Sequence, residues 1–169
     1  MQQNNFLNNA FLHHLSIQCA DPKSLSSFYS ETLGMKSKKI HHQEKTKWLC
    51  FGNDRRIIFS PGKKKNLDFA AFSLKDENCL MNFKNILINN KVSILEYETP
   101  FFMKGSFGVK DPDNNLIIFG ISEINKGIAL SSTYSDHIYG PLQHLTFKSK
   151  DVERFENFYK EKLGFFVSD

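Results

Sequence analysis

Residues 14–35 read HLSIQCADPKSLSSFYSETLGM, and residues 144–165 read HLTFKSKDVERFENFYKEKLGF. Aligned without a gap, the two stretches agree at His14/His144, Leu15/Leu145, Asp21/Asp151, Phe28/Phe158, Tyr29/Tyr159, Glu31/Glu161, Leu33/Leu163 and Gly34/Gly164. Eight identities in 22 positions mark an internal repeat, so the chain holds one complete unit and the opening of a second. Each copy has one physical reading. Leu12–Gln18 mixes apolar and short polar residues and predicts a short strand. Asp21 predicts a helix cap, with Pro22 at the first helical position, where a missing N–H costs nothing. Leu25, Phe28, Tyr29 and Leu33 recur at helical spacing and predict one apolar stripe. Gly34 follows where a left-handed cap is wanted. The second copy repeats this with Asp151, Val152, Phe155, Phe158, Tyr159, Leu163 and Gly164.

Three strands are expected after the first helix: Met35–His42, Thr46–Phe51 and Arg55–Ser60, with Asn53-Asp54 as a turn. Pro61-Gly62 and Lys63–Lys65 then turn the chain. A weaker echo of the pattern follows, with a strand Phe69–Leu74 and a helix Asp76–Asn89. Strands Val92–Tyr97, Gly105–Lys110 and Leu116–Ile121 come next, and Asp111-Pro112-Asp113-Asn114 makes the last hairpin turn. The order is β-α-β-β-β twice over. This predicts an α+β fold of two paired βαβββ modules, residues 12–60 and 67–122, within one complete domain, 12–122. Residues 123–140 read as a linker, and 141–169 as the opening β-α of a second domain cut short.

Composition narrows the function classes. Net charge is +4, from 19 Lys against 3 Arg. Arg is the usual tool for bidentate phosphate and base contacts, so nucleic-acid reading is not expected. No stretch approaches the length of a membrane span. Met1–Ala10 has four Asn and no basic residue, which argues against a secretory leader. Cys19, Cys50 and Cys79 stand far apart with no metal spacing; they predict reduced thiols in a cytoplasmic protein, with Cys19 and Cys50 filling core space.

The His-Leu-Ser strand, Asp21, Phe28-Tyr29, Leu33-Gly34-Met35 and Asp111-Pro112-Asp113-Asn114-Asn115-Leu116-Ile117 together resemble the vicinal oxygen chelate superfamily, which groups glyoxalases, bleomycin-resistance proteins and extradiol dioxygenases. The resemblance implies two modules forming an open, curved, eight-stranded, barrel-like sheet around a metal or ligand. It places the family's metal positions at His14, Phe59, Phe69 and Ile118. Only His14 is a donor, and such ions need three or more protein donors, so this domain is expected to hold no metal. His14 then reads as a hydrogen-bonded structural residue at a vestigial position, and Phe59, Phe69 and Ile118 as apolar replacements. His13 is expected on the opposite, solvated face of the strand.

A metal-free first domain followed by a second domain opening in His resembles the two-domain extradiol ring-cleavage dioxygenases. The resemblance makes His144 the candidate first iron ligand of the second domain. It implies Fe(II) and a small catechol-like aromatic in a full-length relative, with this chain inactive alone. A facial set of three donors leaves open positions for both catecholate oxygens and O2. Two alternatives stay open: a metal-free, bleomycin-resistance-type binding protein that forms a homo-oligomer, and a glyoxalase I-like lyase. The remaining motifs have plainer readings. His41-His42 face opposite ways on a strand and cannot chelate one ion. Lys36, Lys38, Lys39, Lys45 and Lys47 read as a solvated hairpin face. Glu96 and Glu98 face solvent, and Asp111 and Asp113 make turn hydrogen bonds. Trp48, Phe51, Phe59, Phe69, Phe72 and Phe107 read as core, or as the lining of an aromatic pocket.

Overall fold

The computed structural model of the chain describes Leu7 and residues 10–42, 44–52, 55–63, 66–122 and 142–166. In chain order come β1 (Phe11–Cys19), α1 (Pro22–Leu33), β2 (Lys36–His42), β3 (Lys45–Gly52), β4 (Arg55–Pro61), β5 (Asn66–Ser73), α2 (Glu77–Asn89), β6 (Leu95–Glu96), β7 (Phe107–Lys110), β8 (Leu116–Gly120) and α3 (Val152–Asn157). A π-helical turn, Phe158–Lys162, continues α3. The strands form an open, mixed, eight-stranded sheet of order β2-β3-β4-β1-β5-β8-β7-β6, as the β-α-β-β-β reading expects. The chain divides into two compact units, one built on Leu12–Ala70 and the other on Ala71–Ser122 together with His144–Asp169.

In the first unit β1 pairs in parallel with β4, and β2-β3-β4 is an antiparallel meander. Asp21 caps α1 by accepting from the Ser24 N–H, and Gly34 closes it in the left-handed region at φ 67°. Leu25, Tyr29 and Leu33 then pack on Cys19, Met35, Cys50, Ile57 and Phe59. Phe28 departs from the expected stripe and is 55% exposed. The buried member of its turn is Ser26, whose hydroxyl meets that of Ser37 and accepts from the Cys50 thiol. Cys19 and Cys50 are core residues, as expected.

In the second unit Asp76 caps α2 through the Cys79 N–H, and Leu80, Phe83 and Leu87 are its buried face. Phe83, Phe107 and Phe119 form an aromatic layer with centroids 4.8 to 6.3 Å apart. The expected strand Val92–Tyr97 shrinks to two residues. It is an outer strand, Lys91 before it has φ 59°, and Ser93, Glu96 and Glu98 face solvent.

The expected strand around residue 145 is not formed. Residues 142–149 belong to no ladder, and a strand exists only with a partner. The helix after it forms as expected, with Asp151 accepting from the Arg154 N–H. The turn at Asn53-Asp54, Lys64-Lys65 and the linker 123–140 lie outside the described residues.

Candidate functional site

Strand period and register sort the first unit into two faces. Ile17, Cys19, Trp48, Cys50, Ile57 and Phe59 meet α1. The pairs Ser16↔Ile58, Gln18↔Ser60 and Leu49↔Ile58 put Ser16, Gln18, Leu49, Ile58 and Ser60 on the other face. His14, two residues before Ser16, shares that second face by the same period. Phe59 does not: its ring packs tilted against Tyr29 of α1 at 5.1 Å. A one-residue offset in the reading of β4 moves a side chain across the sheet, and Ile58 and Ser60 are the β4 residues on the His14 face. Phe69 does lie beside His14, ring to ring at 5.6 Å and perpendicular. Ile118 belongs to the second unit, fully buried and opposite Gly108 in the β7–β8 ladder.

His13 is not solvated. It is 2% exposed, and its Nδ1 lies 2.8 Å from Nδ1 of the fully buried His14. β1 is buried on both faces along Leu12–Ser16. One Nδ1 must carry the proton and the other accept it, so the neutral pair adopts opposite tautomers there. Burial, then the Arg56 charge, pulls the His13 imidazole down to about 3. Burial, then His13 and Arg56, holds His14 well below the usual range.

The second face of this unit also carries a polar cluster that the sequence reading missed. Asp68 Oδ2 accepts from Ser16 Oγ at 3.1 Å and Ser60 Oγ at 3.4 Å, and Oδ1 accepts from Gln18 Nε2 at 3.0 Å. Lys47, expected in solvent, is 4% exposed, with Nζ 3.5 Å from His42 Nδ1. Lys47 is buried, whereas Lys36, Lys38, Lys39 and Lys45 are exposed. Burial lowers the affinity of its amine for a proton, partly offset by Asp68. The available signal was a Lys directly before the apolar run Trp48–Phe51. The cluster is a hydrogen-bonding surface with one carboxylate. Among the described residues no three His, Cys, Asp or Glu side chains converge as a metal site, so the donor set here does not fit iron.

In the second unit the Asp-Pro-Asp-Asn-Asn turn has a role beyond closing the hairpin. Asp111 is 4% exposed; it accepts from the Asp113 and Asn115 N–H groups at 2.9 and 2.8 Å and from Asn115 Nδ2 at 2.8 Å. Its Oδ2 also accepts from Tyr159 Oη at 3.1 Å. Ser149 Oγ donates to Asp113 at 2.6 Å, and Arg154 donates to the Pro112 carbonyl at 2.6 Å. Burial, then Asp111, pushes the Tyr159 phenol far above its ordinary range, so it stays a neutral donor. Phe165 packs edge-on against Phe72 at 5.5 Å, and Leu163 is 2% exposed. The tail stripe is therefore largely covered, with Val152 and Phe166 left out at 71% and 73%. His144 is exposed.

Solved structures share this fold. A catechol 2,3-dioxygenase superposes with a TM-score of 0.71 at 15% identity, covering 90% of this chain and 54% of that one. The 2,3-dioxygenase LapB from Pseudomonas sp. KL28 gives 0.72 at 16%, covering 92% and 58%. The methylmalonyl-CoA epimerase of Streptomyces coelicolor gives 0.52 at 14%, covering 69% and 97%. The chain thus spans about half the length of the dioxygenases it resembles. At these identities the likeness is one of fold. No curated protein matches the chain by sequence. Residues 11–119 match the model of the Glyoxalase/Bleomycin resistance protein/Dioxygenase superfamily, and the chain belongs to that superfamily.

Proposed function

We propose that residues 12–122 are the metal-free first domain of an extradiol-type, Fe(II)-dependent ring-cleavage dioxygenase, and that 141–169 open its second, iron-bearing domain. One observation carries this reading. Residues 12–122 are about two thirds of the chain, and the epimerase covers about that share, 69%. The dioxygenases cover 90% and 92%, so their likeness runs on into the tail. The repeat supports it: His144 recurs at the place of His14, where the family's first ligand stands. Three free thiols favour a reducing, cytoplasmic setting, and no helix among the described residues is long and apolar enough to cross a membrane.

The test is the reading frame past codon 169 together with the activity of its product. The repeat spacings put a second His at about position 199 and a Glu at about position 248. The expected result is both residues within a few positions, and aerobic Fe(II)-dependent catechol cleavage by the longer product but not by the 169-residue chain. A frame lacking both residues, or cleavage by the 169-residue chain alone, overturns the proposal.

A further inference from the structure

A row of polar residues crosses the sheet of the first unit. In sheet order β3, β4, β1 and β5 are neighbours. They contribute Lys47, Ser60, Ser16 with Gln18, and Asp68 in turn. The register ties the row together. Gln18 pairs with Ser60, and the β3–β4 ladder, carried one residue past Trp48↔Phe59, sets Lys47 against Ser60. All five residues belong to the unit built on Leu12–Ala70. None of them stands at His14, Phe59, Phe69 or Ile118, the positions that the resemblance assigned to metal.

The two charged members are unequally provided for. Asp68 accepts from Ser16, Gln18 and Ser60, which fills most of the roughly four acceptor sites of a carboxylate. Lys47 is 4% exposed and carries three donors on one ammonium. Its Nζ has His42 Nδ1 at 3.5 Å, the outer limit of a hydrogen bond. Among the described residues no carboxylate lies within ion-pair distance of it, and Asp68 acts on it only as a more distant charge. A buried cation is stable when acceptors surround it, and an anionic acceptor serves best. The unmet need in this row is therefore for an acceptor at Lys47. Beside it the pair Leu49↔Ile58, almost fully buried, makes an apolar floor. At the far end Gln18 and Asp68 are half-buried, so the row reaches solvent there.

We propose that this row is a binding site for a small organic monocarboxylate, its carboxylate held by the Lys47 ammonium and its apolar body lying over Leu49 and Ile58. The site goes beyond the dioxygenase reading: it uses residues of the first module alone and needs no iron. The test is a titration of the full 169-residue chain, labelled with 15N, with hexanoate and separately with hexanol. Hexanoate is expected to shift the amide signals of Lys47, Leu49, Ile58 and Ser60 saturably. Hexanol keeps the apolar body without the charge and is expected to bind at least about tenfold more weakly. Lys47→Met keeps a similar stem, removes a poorly paired buried charge and is expected to fold at least as well as the native chain. It should weaken hexanoate by at least about tenfold and leave hexanol unchanged. The hexanol comparison needs no variant, so it decides the matter even where Lys47→Met does not fold. No saturable shift with hexanoate, equal binding of hexanol, or undiminished hexanoate binding by Lys47→Met overturns the proposal. Each of these results is independent of any iron ligand, so failure here is distinct from failure of the dioxygenase reading.

Discussion

The His13–His14 pair sets an acid limit on the fold. Both imidazoles are buried neutral, so their folded-state affinity for protons lies below the ordinary value near 6.5. The unfolded chain binds more protons below that value. Stability is therefore full above about pH 6.5 and falls as pH drops below it. Urea unfolding at pH 7 and pH 5 should show a clearly lower midpoint at pH 5, and replacing both residues with Gln should flatten the difference. Equal midpoints would mean that the pair is charged or open to water. Asp68 makes a second residue-scale prediction. Asp68→Ala leaves Ser16, Gln18 and Ser60 without their shared acceptor and should cost about 1–3 kcal/mol in denaturant unfolding. A cost near zero would show that the cluster is solvated.

At the scale of elements, the sequence was legible wherever local chemistry decides. The Asp caps, Pro22, Gly34 and the final turn have the roles that their neighbours dictate. Faces were less legible, because side-chain orientation depends on register. Phe59 sits between Ile58 and Ser60, the β4 residues that share the His14 face, and His13 and Lys47 are buried by neighbours distant in sequence. The tail strand shows the same limit: residues 144–149 have the pattern of a strand, and a ladder partner decides whether one forms. Gly120 gives a prediction of this kind. A Cβ there would collide with the Phe102 ring, so Gly120→Ala should cost about 1–3 kcal/mol by overpacking, read as a lowered thermal midpoint. An unchanged midpoint would show that Phe102 moves aside freely.

For the whole molecule, the domain core and the tail make separable contributions. A chain ending at Ser122 should fold cooperatively with a mainly β circular dichroism spectrum. It should melt lower than the full chain, because burial of Leu163 alone is worth about 1.5–3 kcal/mol. A mainly helical spectrum would contradict the architecture, and an unchanged midpoint would contradict the docking of the tail. The central claim is that this domain of the Glyoxalase/Bleomycin resistance protein/Dioxygenase superfamily is not itself a metal site. Elemental analysis of the purified 169-residue chain tests that most directly. The account predicts far less than one equivalent of iron, zinc or nickel per chain, unchanged by His14→Ala. One equivalent per chain, lost on His14→Ala, would contradict it.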